Sequence, residues 1–345
     1  MTIYYILIGL LLASLLTKEK KKLRKYLFFA DAVVIFLVLA TRDATVGNDT
    51  EGYVEMGLGN IMLSEAKSGI EILWGGFVDL FQKTRFDSQV FIFLTAILEF
   101  VTLFIFIAKE SENKIFSLLL YVILVTGLCA YMTAIRQAIA LGFVLFAFYF
   151  LKQHKPLLCA LFILLGMGFH TTSIIAVVFI PFVFLNYNRT LSISLVVISA
   201  LLGFILRQDV FSAYSSISQY FTFLQIYSGY GYETVQAPNL IGLTANILPS
   251  TIIAVCSILL YKDHPYTKIF VVGVILVNMF ASTPFIERYF MYATMLQLVL
   301  TPKIYKHGND SMKLLIVGSV LMLILYFFKS VPYSTGADNY ISILF

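Results

Sequence analysis

The sequence AIRQAIA (residues 134–140) places an arginine and an amide, Arg136 and Gln137, at the junction of two long apolar runs. These runs, at about 115–134 and 137–151, are candidates for helices that lie in a membrane. An arginine keeps its proton in a protein, and a guanidinium in hydrocarbon costs several kcal/mol unless it reaches water or an anion. The stretch therefore predicts that Arg136 either extends to the membrane surface or binds a negatively charged group.

The composition points to an integral membrane protein. Of the 345 residues, 60% are hydrophobic and 12% are charged, whereas soluble domains carry about 25% charged residues. We predict an all-α, polytopic membrane protein in one transmembrane domain over residues 1–345. The net charge of +5 does not indicate nucleic-acid binding, because the basic residues are scattered between the apolar runs. The cysteines are predicted to be small buried hydrophobic residues, since they lie far apart within apolar runs at Cys129, Cys159 and Cys256.

Twelve apolar runs predict about 12 membrane-spanning helices, since a spanning helix needs about 20 residues and fewer where the bilayer thins. They lie at about 3–17, 26–40, 88–108, 115–134, 137–151, 156–169, 171–185, 190–206, 244–261, 267–283, 285–301 and 313–328. The first is predicted to be a retained span, because no small-residue cleavage site follows it. The pair between 156 and 185 also fits a broken hairpin.

Lysine and arginine set the predicted orientation. Six of them lie at 18–25, so this loop is predicted to be cytoplasmic, and alternating sides from there puts 16 of the 24 basic residues inside. Both chain ends are then outside, provided that residues 69–82 form a re-entrant or interfacial helix. Two regions lie outside, at about 41–87 and 207–243. The second is rich in tyrosine and phenylalanine, which suits a lid or a sugar-stacking surface, or alternatively an aromatic belt at the headgroups.

Five segments bring polar residues to the predicted outer side. They are Arg42-Asp43 with Asn48-Asp49-Thr50, then Glu71, Arg136-Gln137, His170 with Thr171-Thr172-Ser173, and Glu287-Arg288-Tyr289. Polar groups at membrane depth are candidates for function. Arginines that meet would bind phosphate oxygens, and carboxylates or a histidine beside them could take a proton from a hydroxyl. The combination suits transfer of a group carried on a phosphate or pyrophosphate.

The same residues also have structural interpretations. Arg42 suits a side chain that extends to water from a helix end. Arg136 and Arg288 could merely hold helices together by pairing with a carboxylate, the candidates being Glu71, Glu287 and Asp49. Asp49 also suits a turn or a helix cap, and His170 could be a structural histidine. The residues alone leave these alternatives open. No metal-ligand spacing occurs in the outer segments, so no metal is predicted.

Several short motifs follow one another in a recognisable order. They are RDATVGNDTEGY (42–53), SGIEILW (68–74), AIRQAIA (134–140), FHTTS (169–173) and ERYFMY (287–292). In these motifs the sequence resembles the EpsG/Wzy-type polysaccharide polymerases of bacterial envelopes, which make O-antigen, capsule or exopolysaccharide. The resemblance covers roughly residues 30–300. One departure is that Thr171 and Thr172 stand before Ser173, which leaves His170 in place.

The resemblance implies a glycosyltransferase of GT-C-like architecture in the bacterial cytoplasmic membrane, with its active site facing outside. Such an enzyme joins undecaprenyl-pyrophosphate-linked oligosaccharide repeat units, which are both donor and acceptor. It needs no metal and no other cofactor. Membrane lipid, a chain-length regulator and a flippase are the further partners that the resemblance suggests, and nucleic acid is not among them.

The resemblance also suggests roles for individual residues, in three groups. Arg136 and Arg288, with Arg42 in support, would bind the donor pyrophosphate. His170, then Glu71 and Asp49, would bind and deprotonate the acceptor hydroxyl. Gln137, Tyr289 and Tyr53 would orient sugar or phosphate.

Two other functions compete with that of a polymerase. A ligase would move finished polymer from the same lipid carrier to a different acceptor. A transporter or flippase would need charges through the depth of the spans, where the candidates are few: Asp31, Glu99 and Asp209.

Overall fold

The computed structural model describes residues 1–17, 21–60, 71–218, 240–283 and 286–343. Within these ranges the regular structure is helical, apart from an isolated antiparallel bridge between Arg42 and Ser342. In chain order the helices are α1 (Thr2–Leu16), α2 (Lys21–Ala40), α3 (Thr50–Leu58), α4 (Ile72–Thr84), α5 (Ser88–Glu110), α6 (Lys114–Ile123), α7 (Leu128–Thr133), α8 (Ile135–Lys152), α9 (Pro156–Phe169), a 3₁₀ helix (Thr171–Ile175), α10 (Ala176–Phe184), α11 (Arg189–Ile205), α12 (Arg207–Ser218), α13 (Leu240–Tyr261), α14 (Pro265–Met279), α15 (Ile286–Thr294), α16 (Gln297–His307) and α17 (Asp310–Thr335). The all-α prediction is confirmed for the described residues.

Several of these helices are suited to a bilayer. Among the described residues four are long and apolar enough to cross a membrane, namely α5, α8, α13 and α17. A fifth span results if α11 and α12, which bend by 76° at their junction, count as one. Further apolar helices of 10–17 residues accompany them. The protein is therefore membrane-embedded, while the number of twelve spans and the GT-C-like architecture remain predictions.

Two of the predicted apolar runs are broken rather than continuous. The run at 115–134 folds as α6 and α7, separated by a turn at residues 124–127. Glycine is needed in this turn, because a Cβ atom on Gly127 would lie 1.9 Å from the backbone oxygen of Tyr121. The run at 285–301 likewise divides into α15 and α16. Backbone that leaves the helix at membrane depth is tolerated where it is buried in protein or lines a cavity.

Two further breaks precede polar residues of interest. Helix α8 begins at Ile135, after the single non-helical residue Ala134, so Arg136 and Gln137 lie in its first turn. Helix α9 ends at Phe169, and His170 adopts an extended conformation before the 3₁₀ helix. The chain between 156 and 185 is therefore interrupted at His170, in agreement with the broken-hairpin alternative.

Helix α4 corresponds to the segment predicted not to cross the membrane. Its 13 residues reach about 20 Å, short of the roughly 30 Å hydrocarbon core. Trp74 is fully buried on its inner face and packs in an apolar cluster with Phe91 of α5 and Ile135 of α8. This packing places Glu71, the residue before the helix, beside the first turn of α8.

The end of α17 forms backbone hydrogen bonds with the loop between α2 and α3. The backbone oxygen of Thr335 accepts hydrogen bonds from the Asn48 N–H at 3.0 Å and from the Thr133 hydroxyl at 2.7 Å. The oxygen of Gly336 accepts the Gly47 N–H at 3.0 Å. Gly47 has φ +99°, and a Cβ atom there would lie 2.3 Å from the backbone oxygen of Met132. The α2–α3 loop, the end of α7 and the end of α17 are thus fixed to one another.

Candidate functional site

The side chain of Arg136 extends from the first turn of α8 to two partners on other segments. Its Nη1 forms an ion pair with Oε2 of Glu71, and its Nε donates to the Tyr53 hydroxyl at 3.4 Å. The guanidinium carbon lies 5.4 Å from the centroid of the Tyr53 ring. A quarter of the Arg136 side chain remains exposed. Arg136 therefore does pair with Glu71, as one of the structural interpretations predicted. The pair still leaves part of the Arg136 side chain accessible.

Glu71 connects Arg136 to the break at His170. Its Oε1 lies 2.9 Å from His170 Nδ1 and accepts the Thr171 backbone N–H at 3.1 Å. Burial raises the pKa of Glu71, but the His170 hydrogen bond, the Arg136 charge and the Thr171 N–H outweigh it, so that the pKa is lowered. Glu71 is therefore an ionised acceptor whose oxygens are already bonded. It is better placed to orient His170 than to act as a base itself.

The orientation of His170 follows from this contact. A carboxylate only accepts hydrogen bonds, so Nδ1 carries the proton and Nε2 of the neutral ring is an acceptor. The His170 side chain is 18% exposed, against 4% for Glu71. A carboxylate that fixes the tautomer of a partly accessible histidine is the arrangement that general-base catalysis uses.

Asp49 and Arg288 form the other half of the site. Arg288 Nη1 lies 4.0 Å from Asp49 Oδ2, and Gln137 Nε2 donates to the Arg288 backbone oxygen at 2.6 Å. The Asp49 side chain makes no capping hydrogen bond to α3. Burial raises the pKa of Asp49, and the charges of Arg288 and Arg136 oppose that rise. The cap alternative is thus wrong for the Asp49 side chain, which faces cations instead.

The two halves meet around Tyr53. The charges of Arg136 and Arg288 both act on Asp49 and on the Tyr53 hydroxyl. Each arginine side chain is 25% exposed. A cleft of about 90 Å³ lies beside Arg288 and is lined by Gln137, Arg288 and, from the end of α17, Thr335. The structure therefore brings residues of all five predicted segments together in one partly accessible place.

Arg42 lies apart from this cluster. It is fully buried, its Nη1 donates to the Leu39 backbone oxygen, and its other two nitrogens have no hydrogen-bond partner among the described residues. Among the acidic groups, Glu99, a buried residue of α5, has the largest electrostatic effect on it. The side chain therefore does not reach water at the end of α2, and the interpretation as a residue that extends to water is wrong.

Three further predictions concern Tyr289, the aromatic region and metal binding. Tyr289 follows Arg288 in α15 and is half-buried. Of the aromatic region at 207–243, residues 219–239 lie outside the described residues, so the lid prediction is not addressed. Within the described ranges no three His, Cys, Asp or Glu side chains group in a way that could hold a metal ion. The metal-free prediction stays a prediction.

The structure gives contacts to residues for which the sequence suggested no individual role. Thr171 contributes its backbone N–H to Glu71. The Thr172 and Tyr292 hydroxyls lie 2.9 Å apart and link the break at His170 to α15. Both threonines belong to the FHTTS motif. The polar residues of this motif interrupt an apolar segment, and that interruption is the sequence feature that could have indicated a role for them. No sequence signal indicated that Thr335 would line the cleft.

Comparison with known families of proteins places the chain in one of them. The model of the EpsG family matches residues 25–343, nearly the whole chain. No curated protein and no solved structure matches.

Proposed function

This chain belongs to the EpsG family, and we propose that it is a polysaccharide polymerase that uses a polyprenyl-pyrophosphate-linked donor at the site around Tyr53. Family membership supports a role in polysaccharide polymerisation in general terms. The observation that carries the finer proposal is geometric: Arg136 contacts Tyr53 and Glu71, while Arg288 faces Asp49 at 4.0 Å. The Glu71–His170 pair lies beside them.

The two arginines suit the pyrophosphate of the donor. A guanidinium has five N–H donors in a fixed fork that matches phosphate oxygens. The structure commits Nη1 of Arg136 to Glu71 and Nε to Tyr53, which leaves Nη2 to point at a ligand. The Gln137 side chain holds the backbone of Arg288 and thereby couples the two arginines. Together they would neutralise the charge that accumulates on the leaving pyrophosphate.

His170 suits the acceptor. In the proposed step its Nε2 takes the proton of the acceptor hydroxyl, and the hydroxyl oxygen bonds to the anomeric carbon of the donor. The bond between that carbon and the pyrophosphate oxygen breaks, and undecaprenyl pyrophosphate leaves. Glu71 stabilises the imidazolium that forms. Since this is a single in-line displacement, the configuration at the anomeric carbon inverts.

The cleft beside Arg288 is small for a lipid-linked donor. Its volume of about 90 Å³ is below the roughly 300–1,000 Å³ of typical ligand pockets. The proposed binding of the donor pyrophosphate beside Arg288 therefore requires this cleft to widen, as conformational steps in other enzymes do on substrate binding.

The proposal places the site on the outer face of the cytoplasmic membrane. Under the predicted topology, the loop after α2 and the starts of α8 and α15 lie on the side opposite the basic loops, which the positive-inside rule assigns to the cytoplasm. The donor would be undecaprenyl-pyrophosphate-linked repeat units delivered by a flippase, with a separate chain-length regulator.

Reconstitution tests the proposal. Purified protein in liposomes is supplied with undecaprenyl-pyrophosphate-linked repeat units, with and without a chelator, and the products are separated as a ladder. Wild type should build long chains in both conditions. Arg288→Gln should shorten or abolish the ladder, whereas Arg85→Gln, at an exposed arginine after α4, should not. A full ladder from Arg288→Gln would refute the assignment.

The same assay separates polymerase from ligase. A ligase would transfer the oligosaccharide to a different acceptor and make no ladder from repeat units alone. In cells, loss of a polymerase leaves single repeat units on their final acceptor, whereas loss of a ligase leaves none.

A further inference from the structure

A second group of cations lines a large cavity far from the site around Tyr53. The cavity measures about 890 Å³, within the usual range for ligand pockets. Its charged lining consists of Arg24, Lys25, Lys114, Lys306, Lys313 and Glu112. Five cations and one carboxylate give the lining a strong positive excess. We call this space the basic cavity.

Two helices connect the basic cavity to the opposite face of the molecule. Helix α2 has 20 residues and is therefore about 30 Å long, the thickness of a hydrocarbon core. Arg24 and Lys25 lie near its start, and the loop that carries Asp49 follows its end. Helix α17 begins with Lys313 in its first turns and ends at Thr335, which lines the cleft. The basic cavity therefore lies on the face opposite the candidate site, the one that the basic loops assign to the cytoplasm.

Much of this positive charge lacks a carboxylate partner among the described residues, although Lys313 pairs with Asp310 at 3.3 Å and the Lys114 ammonium lies 5.7 Å from the centroid of the Phe28 ring. Within the described ranges no carboxylate lies within 4.0 Å of Arg24, Lys25 or Lys114. Lys306 pairs with Glu112 at 2.7 Å, and this carboxylate also faces His307 at the same distance. Like charges held around one cavity repel each other unless an anion or water separates them. The cavity is thus built for a negatively charged group.

The walls of the basic cavity indicate which kind of anion. Phe28, Phe29, Ile115 and Tyr305 line it beside the cations. Phe29 and Tyr305 are about 40% exposed, at 44% and 41%, on a membrane-embedded protein. A soluble phosphate would gain nothing from these aromatic walls, whereas an acyl chain would lie along them. Lysine and arginine clusters at the cytoplasmic ends of membrane helices attract anionic lipids.

We propose that the basic cavity binds the phosphate headgroup of an anionic phospholipid from the cytoplasmic leaflet. Arg24, Lys25 and Lys114 contact the phosphate, and the acyl chains follow Phe29 and Tyr305. The lipid bridges α2, α6 and α16, which supply these residues. The site is independent of the proposed polymerase activity, because its ligand and its location both differ.

Native mass spectrometry of the full-length purified protein tests the proposal. The protein in detergent is titrated with dioleoyl phosphatidylglycerol or with dioleoyl phosphatidylcholine of the same chain length, and bound lipids are counted. Wild type should retain phosphatidylglycerol in preference to phosphatidylcholine. Each basic residue near an anionic surface is worth about a fivefold change in affinity, so Arg24→Gln with Lys114→Gln should weaken retention about 30-fold.

A matched pair of substitutions provides the control. Lys155→Gln with Arg189→Gln removes one lysine and one arginine that are exposed on the same face but do not line the basic cavity. This variant should bind phosphatidylglycerol as wild type does. Equal retention of the two lipids by wild type, or equal weakening by both double variants, would overturn the proposal. Displacement of phosphatidylglycerol by millimolar inorganic phosphate would also overturn it, by showing that the site takes a soluble anion.

Discussion

His170 Nδ1 lies 2.9 Å from Glu71 Oε1, although 99 positions separate the two residues in the chain. The contact joins the break between α9 and the 3₁₀ helix to the start of α4. It fixes the ring so that Nε2 is the free acceptor. The proposed role of His170 as the base depends on this orientation.

Removing the histidine should abolish most of the turnover. His170→Ala is expected to lower kcat by about 10²–10⁴, the usual contribution of a general base. Glu71→Gln keeps an acceptor near Nδ1 but loses the charge that stabilises the imidazolium, so its loss of kcat should be smaller. Single-turnover kinetics with a lipid-linked donor measures both. A rate for His170→Ala equal to that of wild type would show that His170 is structural.

The pKa of Glu71 predicts how stability depends on pH. Its folded-state pKa is lower than the ordinary value of 4.5, so the folded protein favours the ionised form. The resulting stabilisation is complete above about pH 4.5 and is lost as the pH falls through the folded-state pKa. Thermal unfolding of purified protein between pH 3 and 7 should show this loss in wild type. Glu71→Gln should flatten the profile, and an unchanged profile would contradict the shift.

The glycine at the turn before Asp49 offers a paired test. Gly47→Ala introduces a Cβ atom 2.3 Å from the Met132 oxygen, at φ +99°, and should displace the loop and reduce polymer formation at least tenfold. Gly52→Ala is the control, since nothing lies within 4 Å of its Cβ position and alanine favours a helix. Polymer length from the two variants at equal membrane levels makes the comparison. Equal ladders would show that the loop need not hold its position.

Arg42 and Glu99 are predicted to be a structural pair. Both are fully buried, and Glu99 supplies the charge that acts on Arg42. Glu99→Leu alone should destabilise the protein, because it leaves the guanidinium of Arg42 buried without an acidic neighbour, whereas the double variant with Arg42→Met should recover most of the loss. Arg42→Met alone should destabilise it less, because a carboxyl group, unlike a guanidinium, can become neutral by taking up a proton. Melting temperatures of the three variants test this. A stable Arg42→Met variant that makes no polymer would contradict the structural role. It would support the contact with the donor pyrophosphate that the resemblance suggested for Arg42.

The sequence predicted which polar residues meet better than it predicted the helices around them, while the roles of these residues stay predictions. Arg136, Glu71 and His170 are costly in apolar surroundings, so their presence there indicated that they meet, and they do. The breaks near Gly127 and after Thr294 were not predicted, because hydropathy averaged over a run does not report whether the backbone stays helical. The place of Arg42 depends on Glu99, 57 positions further along the chain, and no local pattern reveals a pair of that kind.

The most direct test of the central claim is the affinity of the purified protein for undecaprenyl pyrophosphate relative to undecaprenyl monophosphate. Charge-assisted hydrogen bonds contribute about 1.5–3 kcal/mol each, so wild type should prefer the pyrophosphate, and Arg136→Gln and Arg288→Gln should each weaken its binding about 10- to 100-fold. Arg85→Gln should bind as wild type does. If the two arginine variants keep the affinity and the preference of wild type, then Arg136 and Arg288 do not hold the donor pyrophosphate.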